Sequence, residues 1–515
     1  MKHTRAIASV SFGTLISRIL GYVRDILMAR FMGAGLVADA FFAAYKIPNL
    51  LRHLLGEGGF SPAFVPVTSE YLEKESPEET RRFISASAFI LALILGVLCI
   101  TGVIFAPAIT RIVAPGFLSE PEKFWLTARL TRIIFPYAFA ICLAAFVMGI
   151  LHSLRKFFIP ALAPAFFNLT IITYLLIAWN YVSKPVQFLA AAVVIGGFVH
   201  LAVELFPLKR SGYFPGPPPK KPFSHPGVRQ VGKLLIPALI GVSVVEINSL
   251  VDTICASFLV SGSVTALYYS NRLVQLPLAV FGTAIATVAL PVMSTASAKG
   301  NIQDIKDTIV HGVNLAIFAA LPAAIGLMLF AKPIIQVLFG YGKFDISAVN
   351  LTAWALLFYA FGLVSFSMVK IFASCFYSLK DTATPVRIAV IAMIANVGMN
   401  LLVVLQPTLK SVLGVGGLAL ATSISSTLNV ILLVVHLRRR IGPIGGRKIW
   451  RSSLKFIAAT LLMSAAALAI WASTPNWHLI PRIAALVIIA ALVYYWAARM
   501  CKSEEASELL HSLIK

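Results

Sequence analysis

Arginines fall inside stretches long and apolar enough to cross a membrane. Arg18 and Arg24 lie in the first such stretch, Arg52 in the second and Arg272 in the eighth. A cation at bilayer depth costs at least ~2.5–3.5 kcal/mol on insertion scales, so a chain that keeps several needs a compensating arrangement. A water-filled cavity that holds an anion supplies one. The expectation is a cationic cavity inside a bundle of membrane helices.

Composition supports this class. The chain is 59% hydrophobic and 12% charged, with a mean hydropathy of +0.88; soluble domains carry about 25% charged residues. The reading is an all-α polytopic membrane protein with fourteen transmembrane helices. These spans are placed near 6–31, 36–56, 83–109, 125–151, 158–180, 186–207, 231–259, 264–294, 308–330, 346–376, 384–405, 416–437, 452–473 and 480–499. The first stretch holds Arg18, Arg24 and Asp25, and no small-residue cleavage site follows a clean apolar run. It reads as a retained helix rather than a signal peptide.

The net charge of +23 is mostly loop charge. Lysine and arginine concentrate in alternate loops: Arg81 and Arg82, Arg155 and Lys156, six residues between Lys209 and Lys233, then Arg438 to Arg440 and onward. The intervening loops hold few, such as Lys184, Lys343 and Lys410. The positive-inside rule then puts both termini in the cytoplasm of a multi-pass inner-membrane protein. The basic clusters are short and flank apolar helices, which excludes a nucleic-acid partner and fits anionic membrane lipids. Five scattered cysteines form neither a disulfide framework nor a metal site. No Walker loop, nucleophile elbow or metal-ligand cluster is present, so the chain reads as a transporter and not an enzyme.

The chain repeats itself. His152-Ser153-Leu154-Arg155 precedes Tyr377-Ser378-Leu379-Lys380 by 225 residues, and Pro160 precedes Pro385 by the same interval. Pro66-Val67-Thr68-Ser69 precedes Pro291-Val292-Met293-Ser294 by 225, and Gly56 precedes Gly282 by 226. Two six-helix lobes in a pseudo-two-fold repeat follow, plus two C-terminal helices. The expected boundaries are 1–210 for the N-terminal lobe, 211–230 for a cytoplasmic linker, 231–440 for the C-terminal lobe, and 441–515 for the last two helices and a tail.

In the first span, Ser17, Gly21 and Arg24 share one face, and Arg18 and Asp25 share its neighbour. The functional reading is anion binding; the structural alternative is an ion pair of Arg18 or Arg24 with Asp25 or Asp39. In the second span Pro48 is expected to kink the helix, and Gly56, Gly58 and Gly59 to break it. Arg52 follows the kink by one turn. Asp39 and Lys46 are read as structural partners, and Glu57 as a gate or an arginine's partner. Gly21, Pro48, Gly56 and Gly58 are the expected hinges. Arg272 enters from the second repeat; guanidinium groups match phosphate oxygens in bidentate geometry, so the arginines suit a diphosphate. Asp252, Asn396, Asn400 and Thr422 offer oxygens for Na⁺, but their spacing favours interhelical hydrogen bonds.

The run Ser17-Arg18-Ile19-Leu20-Gly21-Tyr22-Val23-Arg24-Asp25, then Ala38-Asp39-Ala40-Phe41, Lys46-Ile47-Pro48-Asn49-Leu50-Leu51-Arg52 and Gly56-Glu57-Gly58, resembles the MurJ (MviN) family of lipid II flippases. Ser261-Gly262-Ser263 and Leu267-Tyr268-Tyr269, followed by Arg272-Leu273, also match. The resemblance covers essentially the whole chain. It implies a member of the MOP exporter superfamily that moves lipid II, the undecaprenyl-diphosphate-linked peptidoglycan precursor, by alternating access. It implies that Arg24, Arg52 and Arg272 form the cavity cluster, with Arg18, Asp25, Asp39 and Glu57 sensitive, and that spans 13 and 14 form a groove for the polyprenyl tail. It implies a sodium site at which Asp252, Asn396 and Thr422 match in type while Asn400 replaces a carboxylate. No cofactor is expected; Na⁺ or the membrane potential would drive the cycle, and cell-wall synthesis proteins are candidate partners. The alternative is a flippase for another polyprenyl-diphosphate oligosaccharide, of O-antigen or capsule type.

Overall fold

The structure, a computed structural model, describes residues 2–508, with the side chains at 2–9, 56–58 and 240–242 outside the described residues. Every regular element among them is helical. The first repeat contains α1 (Lys2–Met32), α2 (Leu36–Leu51), α3 (Phe60–Lys74), α4 (Pro77–Ile104), α5 (Ala106–Val113), α6 (Pro121–Ile134), α7 (Pro136–Ser153), α8 (Phe158–Thr173) and α9 (Pro185–Lys209). The second contains α10 (Pro226–Ala256), α11 (Ser263–Pro277), α12 (Ala284–Ala298), α13 (Ile302–Leu329), α14 (Ala331–Phe339), α15 (Ile346–Phe361), α16 (Leu363–Ser378), α17 (Ala383–Leu405), α18 (Pro407–Val412) and α19 (Gly414–Ile441). Two further helices, α20 (Gly446–Ser473) and α21 (Leu479–Met500), follow.

Ten helical runs among the described residues are long and apolar enough to cross a membrane, or up to twelve when two bent pairs count as one span each. One of those pairs, α15 and α16, meets at 43°. Length and apolarity thus support ten to twelve of the fourteen expected spans. The charged α1 and the short α2 are not among them.

The repeat is visible in the backbone. Arg155 and Lys380, at equivalent positions, both adopt φ 58. Ser76 caps the start of α4 by accepting from the Glu79 N–H at 3.2 Å, and Asn301 caps α13 by accepting from the Asp304 N–H at 3.2 Å. In both repeats a π-helical segment interrupts the corresponding span: Arg52–Gly58 between α2 and α3, and Leu278–Thr283 between α11 and α12. Each follows a proline, Pro48 or Pro277, that cannot donate to the ladder. The glycine break expected around Gly56 and Gly58 is therefore a widened helical turn rather than an interruption. The chain re-enters an α-helix at Phe60, after the Gly59 N–H bonds to the Leu54 carbonyl at 3.1 Å. α1 likewise runs through Gly21 without interruption.

The chain forms two compact units. Met1–Val264 with Tyr341–Phe344 make the first, and Thr265–Gly340 with Asp345–Lys515 the second. In the first, α1 lies along α8, α9 along α7 and α8, and α10 against α3 and the first π segment. An aromatic core anchors it, with Phe64 against Phe83 at 5.7 Å and against Phe146 at 4.9 Å between centroids. In the second, α13 packs on α12, α16 and α20, and α17 on α19. α21 is fixed to α13 by the Tyr494 hydroxyl, which donates to the Phe318 carbonyl at 2.6 Å.

Candidate functional site

α1 turns its small residues inward. Gly13, Gly21 and Asp25 are buried, which lets α8 approach closely. Arg24 sits at the edge of this face with its side chain 13% exposed, against a fully buried Asp25. Its Nε and Nη2 donate to Asp25 Oδ1 at 3.0 and 2.6 Å. Its Nη1 donates to Asn168 Oδ1 on α8 at 3.0 Å. Asn168 is held in turn by donating to the Ser17 carbonyl at 3.1 Å. The guanidinium also lies 5.8 Å from the Phe167 ring centroid. An oriented, charge-paired arginine on α1 results. Arg18 is exposed, because the face it shares with Asp25 is uncovered at its level.

Arg52, the first residue of the π segment, is half-buried. Its Nε donates to Asn49 Oδ1 at 3.0 Å, and its Nη2 lies 2.8 Å from His53 Nε2. The side chain of Glu57 lies outside the described residues.

The expected pairing of Asp39 with Lys46 is not formed. Two turns of helix separate them, about 10 Å, and each finds a partner on another element. Lys46 Nζ donates to Ser249 Oγ on α10 at 2.6 Å, and Asp252 and Glu246 of the same helix act on it electrostatically. Asp39 pairs instead with Lys123 on α6, Nζ to Oδ2 3.1 Å, with both side chains 1% exposed. Asp39 Oδ2 also accepts from the Gly262 N–H at 2.7 Å. Lys123 further donates to Ser261 Oγ at 3.2 Å and sits 4.3 Å from the Phe117 ring centroid.

These contacts belong to a latch at the helix ends remote from the N-terminus of α1. The Gly116 N–H donates to Ser257 Oγ at 3.0 Å. The Lys343 N–H donates to the Arg30 carbonyl at 2.9 Å. Gly33 and Gly342 permit that last contact: both have positive φ, 72° and 64°, and a Cβ on either would lie 2.5 Å from the opposing carbonyl oxygen. Sequence reasoning missed Lys123, Asn168 and this glycine pair. Only the glycines carried a signal, and a lone turn glycine is not specific.

In the second unit Arg272 is half-buried on α11. Asn396 and Asn400 are fully buried on α17. Asn400 Nδ2 donates to Asn396 Oδ1 at 2.9 Å, and Asn396 Nδ2 to Thr422 Oγ1 on α19 at 3.2 Å. The Thr422 hydroxyl donates on to the Leu418 carbonyl at 3.1 Å. Two amides and a hydroxyl thus bond one another across two helices. Among the described residues no three His, Cys, Asp or Glu side chains come within metal reach of each other.

The same unit contains a groove of about 1040 Å³. α11, the second π segment, α13, α14, α20 and α21 line it, with Leu276, Phe281, Leu329, Met463 and Val487 on its walls. Its walls are almost wholly apolar, and among the described residues Glu505 and Glu508 are the only charged ones lining it. A long hydrocarbon chain fits such a surface and a charged group does not.

The family model described as lipid II flippase MurJ matches residues 28–488. A probable lipid II flippase MurJ of Vibrio cholerae is 40% identical over 450 residues, covering 84% of this chain and 83% of that protein. The lipid II flippase MurJ of Burkholderia cenocepacia is 36% identical over 438 residues, with 85% and 84% covered. A solved lipid II flippase MurJ in an inward closed conformation matches with a TM-score of 0.79 at 27% identity, covering 98% of this chain and 99% of that one. An inward-facing multidrug resistance MATE transporter of the MOP superfamily matches with a TM-score of 0.70 at 17% identity, covering 85% and 98%. At that identity the likeness is one of fold alone.

Proposed function

The chain belongs to the lipid II flippase MurJ family, and from that premise we infer how its residues carry lipid II across the cytoplasmic membrane of a bacterium. One observation carries the reading. The same chain holds an oriented, charge-paired arginine on α1 and an apolar groove of about 1040 Å³. A substrate with an anionic head and a long hydrocarbon tail needs both.

The chain crosses the membrane fourteen times with both termini in the cytoplasm, and its two six-helix repeats are the moving lobes. Arg24, Arg52 and Arg272 take the diphosphate, and the polyprenyl chain stays in the groove bounded by α20 and α21. Binding draws the Arg24 guanidinium from Asp25 and Asn168 onto phosphate oxygens, exchanging one set of charge-assisted hydrogen bonds for another. The latch around Asp39 and Lys123 is the outer seal, which opens to release the headgroup outward. The two π segments flex, as π-bulges do at functional sites. Membrane potential or an ion gradient supplies the work.

The test is transport of labelled lipid II by the purified chain in vesicles. Arg24→Ala, Arg52→Ala and Arg272→Ala are each expected to slow it about tenfold or more, since a hydrogen bond to a charged group is worth about 1.5–3 kcal/mol. Wild-type rates in all three variants would refute the cationic site. Transport of a different polyprenyl-diphosphate oligosaccharide in place of lipid II would reassign the substrate.

A further inference from the structure

Away from Arg24 and from the Asp39–Lys123 pair, the first unit holds a further buried ionisable pair. His200 and Glu204 lie one turn apart on α9, on the buried stripe that also carries Val193, Gly197 and Leu208. Glu204 is 0% and His200 8% exposed. His200 Nε2 stands 3.4 Å from Glu204 Oε1. Neither carboxylate oxygen accepts a well-aligned hydrogen bond from any described residue. The surroundings are apolar: Leu208 one turn on is buried among Phe64, Phe146 and Leu151, and Leu201 and Leu205 pack on the same cluster.

Among the described residues no other charge serves the pair. α8 carries no titratable side chain over its length. On α7, Tyr137 packs at Gly197 and bonds the Tyr45 hydroxyl, Cys142 contacts the Leu51 carbonyl, and His152 stacks on Phe157. On α6, Lys123 is committed to Asp39, while Glu122, Arg129 and Arg132 are exposed. On α2, Lys46 bonds Ser249. Tyr174 in the turn after α8 donates to the Pro185 carbonyl, and Tyr181 is exposed.

We propose that His200 and Glu204 form a proton-binding site whose occupancy is coupled to the transport cycle; the coupling rests on the flippase reading above. With one proton the pair has no net charge, whether the proton sits on the carboxyl or on the imidazole. Loss of that proton to water leaves a buried carboxylate beside a neutral imidazole, a net charge that the packed apolar surroundings resist. Release therefore requires water or a new donor to reach Glu204, and so a rearrangement of α9 against α7 and α8. Conformation and protonation are then linked, and each biases the other equally.

Infrared difference spectroscopy on the full chain in vesicles of phosphatidylethanolamine and phosphatidylglycerol tests the site directly. A protonated-carboxyl band that is lost as the pH is raised is expected in wild type. It should vanish in Glu204→Gln, and its midpoint should move by about one unit or more in His200→Gln. Both variants should melt as wild type does, which separates loss of the site from loss of the fold. In the same vesicles, reversing an imposed pH gradient should change the wild-type lipid II rate by about fivefold or more and leave Glu204→Gln unresponsive. No Glu204-dependent band, or a wild-type rate as flat as the variant's, overturns the proposal. Absence of any lipid II movement by wild type would count against the flippase reading, and the band would still decide the proton site.

Discussion

At the scale of single residues, a buried charge can be matched by a partner distant in sequence. Lys123 neutralises Asp39 where both are 1% exposed. Removing one member of such a pair strands the other, at about 3–5 kcal/mol. Lys123→Met should therefore lower the melting temperature markedly, and Asp39→Asn added to it should recover most of the loss; equal melting of wild type and single variant would contradict this. Outside the membrane spans, Asp381 caps α17, accepting from the Thr384 N–H and hydroxyl at 3.0 and 2.8 Å and from Arg440 at 2.6 Å. Partial burial alone would raise its carboxyl, but the Thr384 bonds and the Arg440 charge outweigh it and hold it below the usual range. Its stabilisation is present above the unfolded value, about pH 4, and is lost as pH falls through the native one. Asp381→Ala should lose about 1 kcal/mol at neutral pH and show a flatter acid limb in thermal melts. Arg24, Arg52 and Arg272 were legible as out-of-place charges. Asn168 and Lys123 were not, because a partner 84 or more residues away leaves no mark on local periodicity.

At the scale of elements, the two π segments and the groove matter most. Periodicity located both interrupted spans through their glycines and prolines, but a π turn and an open break look alike in sequence. The groove walls are lined by the π segment after α11 as well as by α20 and α21, which only the folded chain reveals. Val487 lines the groove and is 54% exposed. Val487→Trp should fill the groove without disturbing the core, slowing lipid II transport while the melting temperature holds; transport at the wild-type rate would mean the tail travels elsewhere. Gly33→Val should weaken the seat of residues 341–344 on the end of α1, through left-handed strain of about 1–2 kcal/mol plus the clash with the Lys343 carbonyl. Faster hydrogen exchange at the Lys343 amide would report it.

At the scale of the whole molecule, the duplicated plan was readable because the repeat preserves its punctuation. Pro160 and Pro385, Arg155 and Lys380, and the caps Ser76 and Asn301 all keep one interval, and the structure gives each pair the same local role. The functional asymmetry was less legible. Lys156, the counterpart of Asp381, is no cap, and α20 and α21 have no counterpart in the first repeat. Duplication thus supplies the scaffold, and α20 and α21 add to it two of the walls of the apolar groove. The most direct measurement of that account is the amount of lipid II cleavable by a reagent added outside cells depleted of this chain. The account predicts that the cleavable pool disappears on depletion, returns with the wild-type chain, and does not return with Arg24→Ala. A pool unchanged by depletion, or fully restored by Arg24→Ala, would contradict it.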